Sequence, residues 1–469
     1  MNAVRRFFPD SRLAVLFVLF FVANLAYLHR VPGFLGDEAS EGENVYQILT
    51  EEKNLVQGER SYIGVFTDYA RMPFVGVLGY SSLAVRLPVF FGNLIFFVVL
   101  AALLKKYAEK ETAYLALVFL CFSPIFIIYQ RLGWAITLLP LFAVLLIYAL
   151  QSKGKYRWLL AGLVAGVGLQ THLLFLPTLA AILLVLFALY RPNILRAWPA
   201  LIGFWAGFGM QAAILSIMKD DQGDPSQTTQ LFSERIADFW EALPLYATGS
   251  SFVAQYTGIE FSPSAILAIF LLLSIGMLLA FVLVRTRIPW IIASITALHT
   301  FGILYMIDRY SLRYFVITAL GIWLLAGLGY GAVLERLTKK LPVFSFAPIA
   351  VALCLLVWSV FSTLIPFLKT GGSVAQFDLG NRTTSASPFV DDRPLIACLR
   401  GKGAVFSEVE PIQNILLYRS HQYDDLVVVD EGSKKTAQFI VAYASEQEAP
   451  KSNADLACPE ASLFRVIKK

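Results

Sequence analysis

The chain has 469 residues, of which 57% are hydrophobic and only 15% charged, with a formal net charge of +5 and a mean hydropathy of +0.66. A soluble domain carries about 25% charged residues. Several runs here approach the ~20 apolar residues that cross a hydrocarbon core of ~30 Å, so the composition excludes a soluble globular protein. The runs are continuous rather than alternating, which excludes a β-barrel. The basic excess is accounted for by connections between spans and does not argue for nucleic acid.

Eleven spans are expected in chain order, at about 13–29, 87–104, 112–129, 134–150, 157–170, 173–190, 197–217, 263–284, 289–307, 314–334 and 345–367. The first follows Arg5, Arg6 and Arg12. It is long for a signal-peptide core and no small-residue cleavage site follows, so it reads as a retained helix. The fifth and sixth form one apolar stretch broken at Gln170-Thr171-His172. Small-residue pairs Gly162/Gly166 and Gly203/Gly207 favour close helix packing.

With a cytoplasmic N-terminus, the positive-inside rule requires alternate connections to be basic. They are: Lys105/Lys106/Lys110, Lys153/Lys155/Arg157, Arg191/Arg196, Arg285/Arg287 and Arg336/Lys339/Lys340. The other face then receives residues 30–86, the turn at Tyr129–Trp134, the break at Gln170–His172, residues 218–262, the turn at Asp308–Arg313 and the tail from about 370. The expected architecture is an all-α polytopic membrane domain over 1–369. A small extracytoplasmic α/β domain over 370–469 follows, because the tail alternates short apolar runs with helix-like segments. Cys121 and Cys354 fall within spans and read as packing residues. Cys398 and Cys458 both fall in the tail, where an oxidising compartment permits a disulfide between them.

Chemistry is therefore sought on the outer face. Asp37, Glu38, Glu41 and Glu43 follow the first span within seven residues. Asp37 falls one to two helical turns past that span. Val45, Ile48 and Leu49 after it have helical spacing, which predicts a short interfacial helix over Ala39–Leu49. Acids at a helix start also read as caps, and acidic loop clusters as solvated surface. Arg86, before Leu87-Pro88, reads either as a snorkelling anchor or as a phosphate ligand. Arg309 and Arg313 lie in an outer turn against the positive-inside bias. With Tyr310 and Tyr314 beside them they suit a phosphate headgroup, unless Asp308 pairs with them internally. Arg131 and Trp134, in another outer turn, suit an anionic ligand and a stacked sugar or interfacial anchor. His172 reads more readily as a satisfied interior histidine than as a ligand. Four histidines without Cys/His spacing give no transition-metal site. The acid pairs Asp220-Asp221, Asp391-Asp392 and Asp424-Asp425 read as solvated loops. No Walker A or Rossmann glycine pattern supports a cytosolic nucleotide donor.

Three stretches together resemble the membrane glycosyltransferases of the GT-C class, family 39 in particular: the relatives of protein O-mannosyltransferases and lipid A aminoarabinose transferases. They are Asp37-Glu38 within GDEASEGENVYQIL, the G-x-S-x-x-A-V-R-L-P run from Gly79 to Pro88, and Arg313-Tyr314 before a late helix. The resemblance covers about the first 370 residues in layout. It implies a polyprenyl-phosphate sugar donor and inverting transfer on the non-cytoplasmic face of the cytoplasmic (inner) membrane. It also implies Asp37 as catalytic base with Glu38 beside it, and donor phosphate held among Arg86, Arg131, Arg309 and Arg313. Glu41, Trp134, His172, Tyr310 and Tyr314 are then candidates to line the sugar or acceptor. The acceptor, whether lipid, glycan or protein, is not specified. The chain lacks a Lys-Pro-Pro segment between Gly58 and Pro73, and Ala135-Ile136-Thr137 stands where a second aspartate often follows the third outer turn. No cofactor is called for, and a divalent cation is left open. The other classes are a lipid-linked sugar transporter or flippase, and a non-catalytic assembly factor of envelope glycan synthesis. A transporter places charge mid-span, whereas here the spans are nearly free of it. Non-reducing peptide mapping is expected to recover Cys398 and Cys458 in one linked species; two free thiols would contradict the bridge.

Overall fold

The structure, a computed structural model, describes residues 10–31, 34, 36–50, 58, 62–190, 197–217, 231–251, 261–306, 312–361, 365, 393–407, 410–430, 433–443 and 464–468. Every expected span coincides with a helix or a broken pair of helices. In chain order they are α1 (Ser11–Leu25), then α2 (Gly36–Leu49) and α3 (Phe66–Leu78) of the first outer segment, α4 (Ser82–Tyr107), α5 (Lys110–Cys121) and α6 (Pro124–Tyr129). There follow α7 (Leu139–Gln151), α8 (Arg157–Thr171), α9 (Phe175–Tyr190), α10 (Pro199–Ile217), the second outer helix α11 (Phe232–Ala247), α12 (Pro263–Leu283), α13 (Ile288–Met306), α14 (Val316–Thr338) and α15 (Ala347–Ser359). The chain is a helical polytopic membrane protein. In hydrocarbon only a helix satisfies its own backbone donors and acceptors, and among the described residues five helices are long and apolar enough to cross a membrane by length and composition.

Local chemistry sets the helix ends. Ser81, Ser123 and Ser262 are N-caps whose hydroxyls accept from the amides of Ala84, Phe126 and Ala265 at 3.2–3.3 Å. Such caps satisfy donors that a helix start leaves open. The start of α1 is tied to α5 and the segment before α15: Arg12 donates to Glu111 at 2.8 Å and to the Ser345 carbonyl at 2.6 Å. Lys105, Lys110 and Lys339 fall at this same end, opposite α2 and α3.

Two helix pairs touch backbone to backbone. A methyl built on Gly162 would lie 1.9 Å from the Ala200 carbonyl oxygen, and one on Gly203 2.1 Å from that of Leu159. These glycines let α8 and α10 meet, as small residues do between membrane helices. Gly329 meets the Gly276 carbonyl between α14 and α12 in the same way. On α12, Leu267, Leu271, Leu278 and Val282 point away from the bundle and are all more than half exposed, the surface that lipid would cover.

The tail forms α16 (Arg393–Leu399), β1 (Val405–Ser407), α17 (Glu410–Ser420), β2 (Phe439–Tyr443) and β3 (Phe464–Lys468). Its sheet order is β1-β2-β3, parallel then antiparallel, with Val405 opposite Phe439 and Ile440 opposite Ile467. The apolar core of this unit is shared with the first outer segment. Leu395, Ile415, Leu416 and Tyr418 pack in one cluster with Phe34, Ala39 and Val85. Cys398 is disulfide-bonded, Cys121 and Cys354 are free, and Cys458 lies outside the described residues. Gly203→Val is expected to destabilise the chain by about 1–3 kcal/mol through overpacking, read as a lowered Tm in detergent, whereas Gly154→Ala, whose methyl would meet only the Ser152 hydroxyl at 3.9 Å, leaves the Tm unchanged.

Candidate active site

The site is built around α2, the segment GDEASEGENVYQIL. It begins three residues before the expected helix start. Glu38, Glu41 and Asn44 recur at three-residue spacing and are at most 3% exposed, with Val45 and Ile48 on the same buried side. Leu49, expected on the apolar face, is exposed. The helix is therefore not an amphipathic one resting on lipid. It is wedged between α3, α4 and α17, with its polar stripe inward.

That stripe is neutralised by arginines from the next two helices. The Arg86 guanidinium forks onto the Glu38 carboxylate, with Nε donating at 2.8 Å and Nη2 at 2.6 Å, and Nη1 donates to the Leu28 carbonyl at 2.9 Å. Both side chains are fully buried. The Gly133 amide also donates to Glu38. Arg71 donates to Glu41 and to the Gly133 carbonyl, and reaches Asp68 at 2.9 Å. Asn44 donates to the other Asp68 oxygen at 2.6 Å, and the Ala135 amide donates to Glu41 at 3.1 Å. Three carboxylates thus meet two guanidiniums, two backbone amides and a carboxamide. Bidentate geometry and extra donors are what make a buried ion pair tolerable.

Arg131 has a different task. Its guanidinium donates to the carbonyls of Val31 at 2.9 Å, Ala23 at 2.5 Å and Ala26. These carbonyls close α1 and the turn after it, where Tyr27 sits at φ 54°, a conformation unusual for a bulky residue. Arg131 is a side-chain cap on that turn. Trp134 is buried edge-on to Tyr129. His172 ends α8, accepts from the Leu174 amide at 3.1 Å and packs against Tyr62. Tyr314 is half-buried and lines a small cavity with Tyr129 and His299. Arg313 lies in a 3₁₀ turn, Leu312–Phe315, and its side chain is not described; Asp308, Arg309 and Tyr310 lie outside the described residues.

Asp37 stands apart from the buried stripe. It is half-buried in the first turn of α2, where the helix dipole favours a negative charge. The turn beyond α1 lies among arginines. Partial burial, then the positive charges of Arg393, Arg30, Arg86 and Arg131, push the His29 imidazole in the turn beyond α1 below its ordinary value. A cavity of about 210 Å³ lies beside that turn, between α1, α6 and α15. Its walls include Val22, Ala23, Ile127 and Leu356, with Arg131 among them.

The structure therefore gathers Asp37, Glu38, Glu41, Arg86, Arg131 and Trp134 into one region; Tyr314 borders it through Tyr129, the ring against Trp134, while His172 packs against Tyr62. Sequence reasoning missed Asp68 and Arg71. Their three-residue spacing within the segment expected on the outer face was the available signal.

Among solved structures, the chain is similar to ArnT from Cupriavidus metallidurans bound to undecaprenyl phosphate, with a TM-score of 0.53 over 97% of each chain and 11% sequence identity. The fold is ArnT-like. No family model and no curated protein sequence matches the chain. The likeness to ArnT runs through the tail as well as the spans, beyond the 370 residues over which the sequence resemblance was read.

Arg86→Met strands Glu38 as a buried, uncompensated charge and is expected to cost about 3–5 kcal/mol. The double variant Arg86→Met/Glu38→Met is expected to recover most of the loss, as read by thermal unfolding in detergent.

Proposed function

We propose that the chain is a membrane glycosyltransferase moving a sugar from a polyprenyl-phosphate donor to an acceptor on the non-cytoplasmic face, with Asp37 as the general base. The observation that carries this reading is the sorting of the carboxylates on α2. Glu38 and Glu41 are buried against arginines and hold the helix, while Asp37 sits half-buried in the first turn of the helix. The ArnT-like fold, in a structure bound to undecaprenyl phosphate, supports the donor class. The apolar cavity beside α1 is suited to part of an isoprenoid chain.

In this mechanism an acceptor hydroxyl gives its proton to the Asp37 carboxylate as its oxygen attacks the anomeric carbon. The bond from that carbon to the phosphate oxygen breaks, and the electron pair leaves on polyprenyl phosphate. The new glycosidic bond has inverted configuration. The departing phosphate is already a stable anion, so positive potential matters more than a general acid. Arg86 and Arg131 contribute to that potential while their hydrogen bonds go to Glu38 and to backbone carbonyls. Direct contact with the phosphate falls to cations outside this network, with Arg309 and Arg313 retained from the sequence for that role. In this reading the N-terminus lies in the cytoplasm and the tail outside it, as the positive-inside rule supports.

A transporter is the less favoured reading. Asp, Glu, Lys and Arg lie at the ends of the spanning helices and not at their middles, so among the described residues no charged path crosses the bundle.

The protein in lipid nanodiscs is to be given synthetic undecaprenyl-phosphate sugars and a membrane extract as acceptor source. Wild type is expected to release undecaprenyl phosphate. Asp37→Asn is expected to lose about 10²–10⁴-fold in rate with an unchanged Tm. Transfer at close to the wild-type rate in Asp37→Asn would refute the base, and no transfer from any donor would refute the transferase reading.

A further inference from the structure

The fourth carboxylate of α2 is used by neither the buried network nor the proposed chemistry. Glu43 points to the tail. Its Oε2 lies 2.7 Å from His421 Nε2, just past the end of α17, and both side chains are about one-fifth exposed. The His421 ring stacks on Tyr46, one turn further along α2, with centroids 3.5 Å apart and planes 11° apart. Tyr80, in the link between α3 and α4, meets both rings edge-on at 5.3–5.6 Å.

The contact continues along α17. Tyr418 is fully buried against Gly42 of α2, where an added methyl would lie 2.6 Å from its ring. Its hydroxyl reaches the Ser81 carbonyl at 3.3 Å, and Arg419 reaches the Tyr80 carbonyl at 3.3 Å. Tyr418 and Arg419 also lie against Phe34, just before α2. Burial raises the Tyr418 and Tyr80 phenols above their ordinary values, so they stay neutral. Glu43 is the charged partner of His421, and the Arg419 guanidinium turns to the Tyr80 carbonyl, Gln422 and Phe34.

The buried arginines fix the inner face of α2, from Glu38 to Asn44. His421, Tyr418 and Tyr80 fix the outer face, from Gly42 to Tyr46. Without this second contact, α2 would be held on one side only, and its first turn would be free to rock about the Glu38–Arg86 pair.

We propose that His421 is a positioning residue for the transferase site: bonded to Glu43 and stacked on Tyr46, it makes the C-terminal unit the outer clamp on the helix that carries Asp37. The proposal rests on the assignment of Asp37 as base. It predicts that the tail acts on turnover rather than on donor binding. The imidazole donates to Glu43 whether neutral or protonated, so a neutral side-chain amide replaces the bond, though not the stack.

The test uses the full chain in nanodiscs, with amide hydrogen exchange over residues 36–49 beside steady-state kinetics on a synthetic undecaprenyl-phosphate sugar. His421→Ala is expected to speed exchange in 36–49 about tenfold, as for a lost hydrogen bond to a charged group, with exchange in 316–338 unchanged. It is expected to lower kcat about 10- to 100-fold while KM for the donor holds. His421→Gln is expected to restore most of both. Asp37→Asn is expected to lower kcat about 10²–10⁴-fold with wild-type exchange. Unchanged exchange in His421→Ala would overturn the clamp, and faster exchange with unchanged kcat would overturn its positioning role. A wild-type protein that transfers nothing would overturn the transferase reading, while exchange would still decide whether His421 holds α2.

Discussion

The buried pair between Glu38 and Arg86 is the constraint on which the outer half of the molecule depends. Two charges removed from water are tolerated only with close geometry and further donors. Here the guanidinium forks onto the carboxylate, Gly133 adds an amide and Leu28 takes the remaining Arg86 donor. One interaction therefore locks four parts of the chain: α2, the start of α4, the turn after α1 and the turn before α7. Arg71 repeats the arrangement one turn along, joining Glu41 and Asp68 to the same Gly133 segment. α2 and α3 are thereby bound to each other and to the bundle.

This network changes the meaning of the acidic cluster. Four carboxylates close in sequence have three different physical roles. Glu38 and Glu41 are structural anions whose charge is consumed by arginines. Glu43 reaches outward to His421. Asp37 lies half-buried in the first turn of the helix. A base must be held in place and must still meet substrate, and on α2 Asp37 combines both. The same logic reassigns Arg86 and Arg131, whose hydrogen bonds serve a carboxylate and the end of α1.

Much of the fold was legible because hydropathy and charge act over contiguous residues. The eleven spans, the break at His172 and the contact made by Gly162 and Gly203 all follow from local pattern. The shape of the tail, short strands with helices between them, was legible too, as was the gathering of polar groups after the first span. The pairing inside the site was not. Glu38 and Arg86 are 48 residues apart, and Glu41 and Arg71 are 30 apart. Nothing in a single sequence says which arginine meets which acid. The reading of α2 as a helix resting on lipid failed for the same reason: its buried side is polar, and only partners brought from elsewhere make that side buriable. The shared core of Tyr418 and Gly42 joins residues almost at opposite ends of the chain, so the tail read as a separate domain.

The most direct test is a structure of the chain with a non-hydrolysable undecaprenyl-phosphonate sugar bound. The anomeric carbon is expected at the outer end of the bundle over the first turn of α2, with an acceptor-sized space within about 3 Å of the Asp37 carboxylate and the Glu38–Arg86 and Glu41–Arg71 pairs intact. A sugar seated against any other carboxylate, or at the end that holds Lys105, Lys110 and Lys339, would contradict the assignment of Asp37.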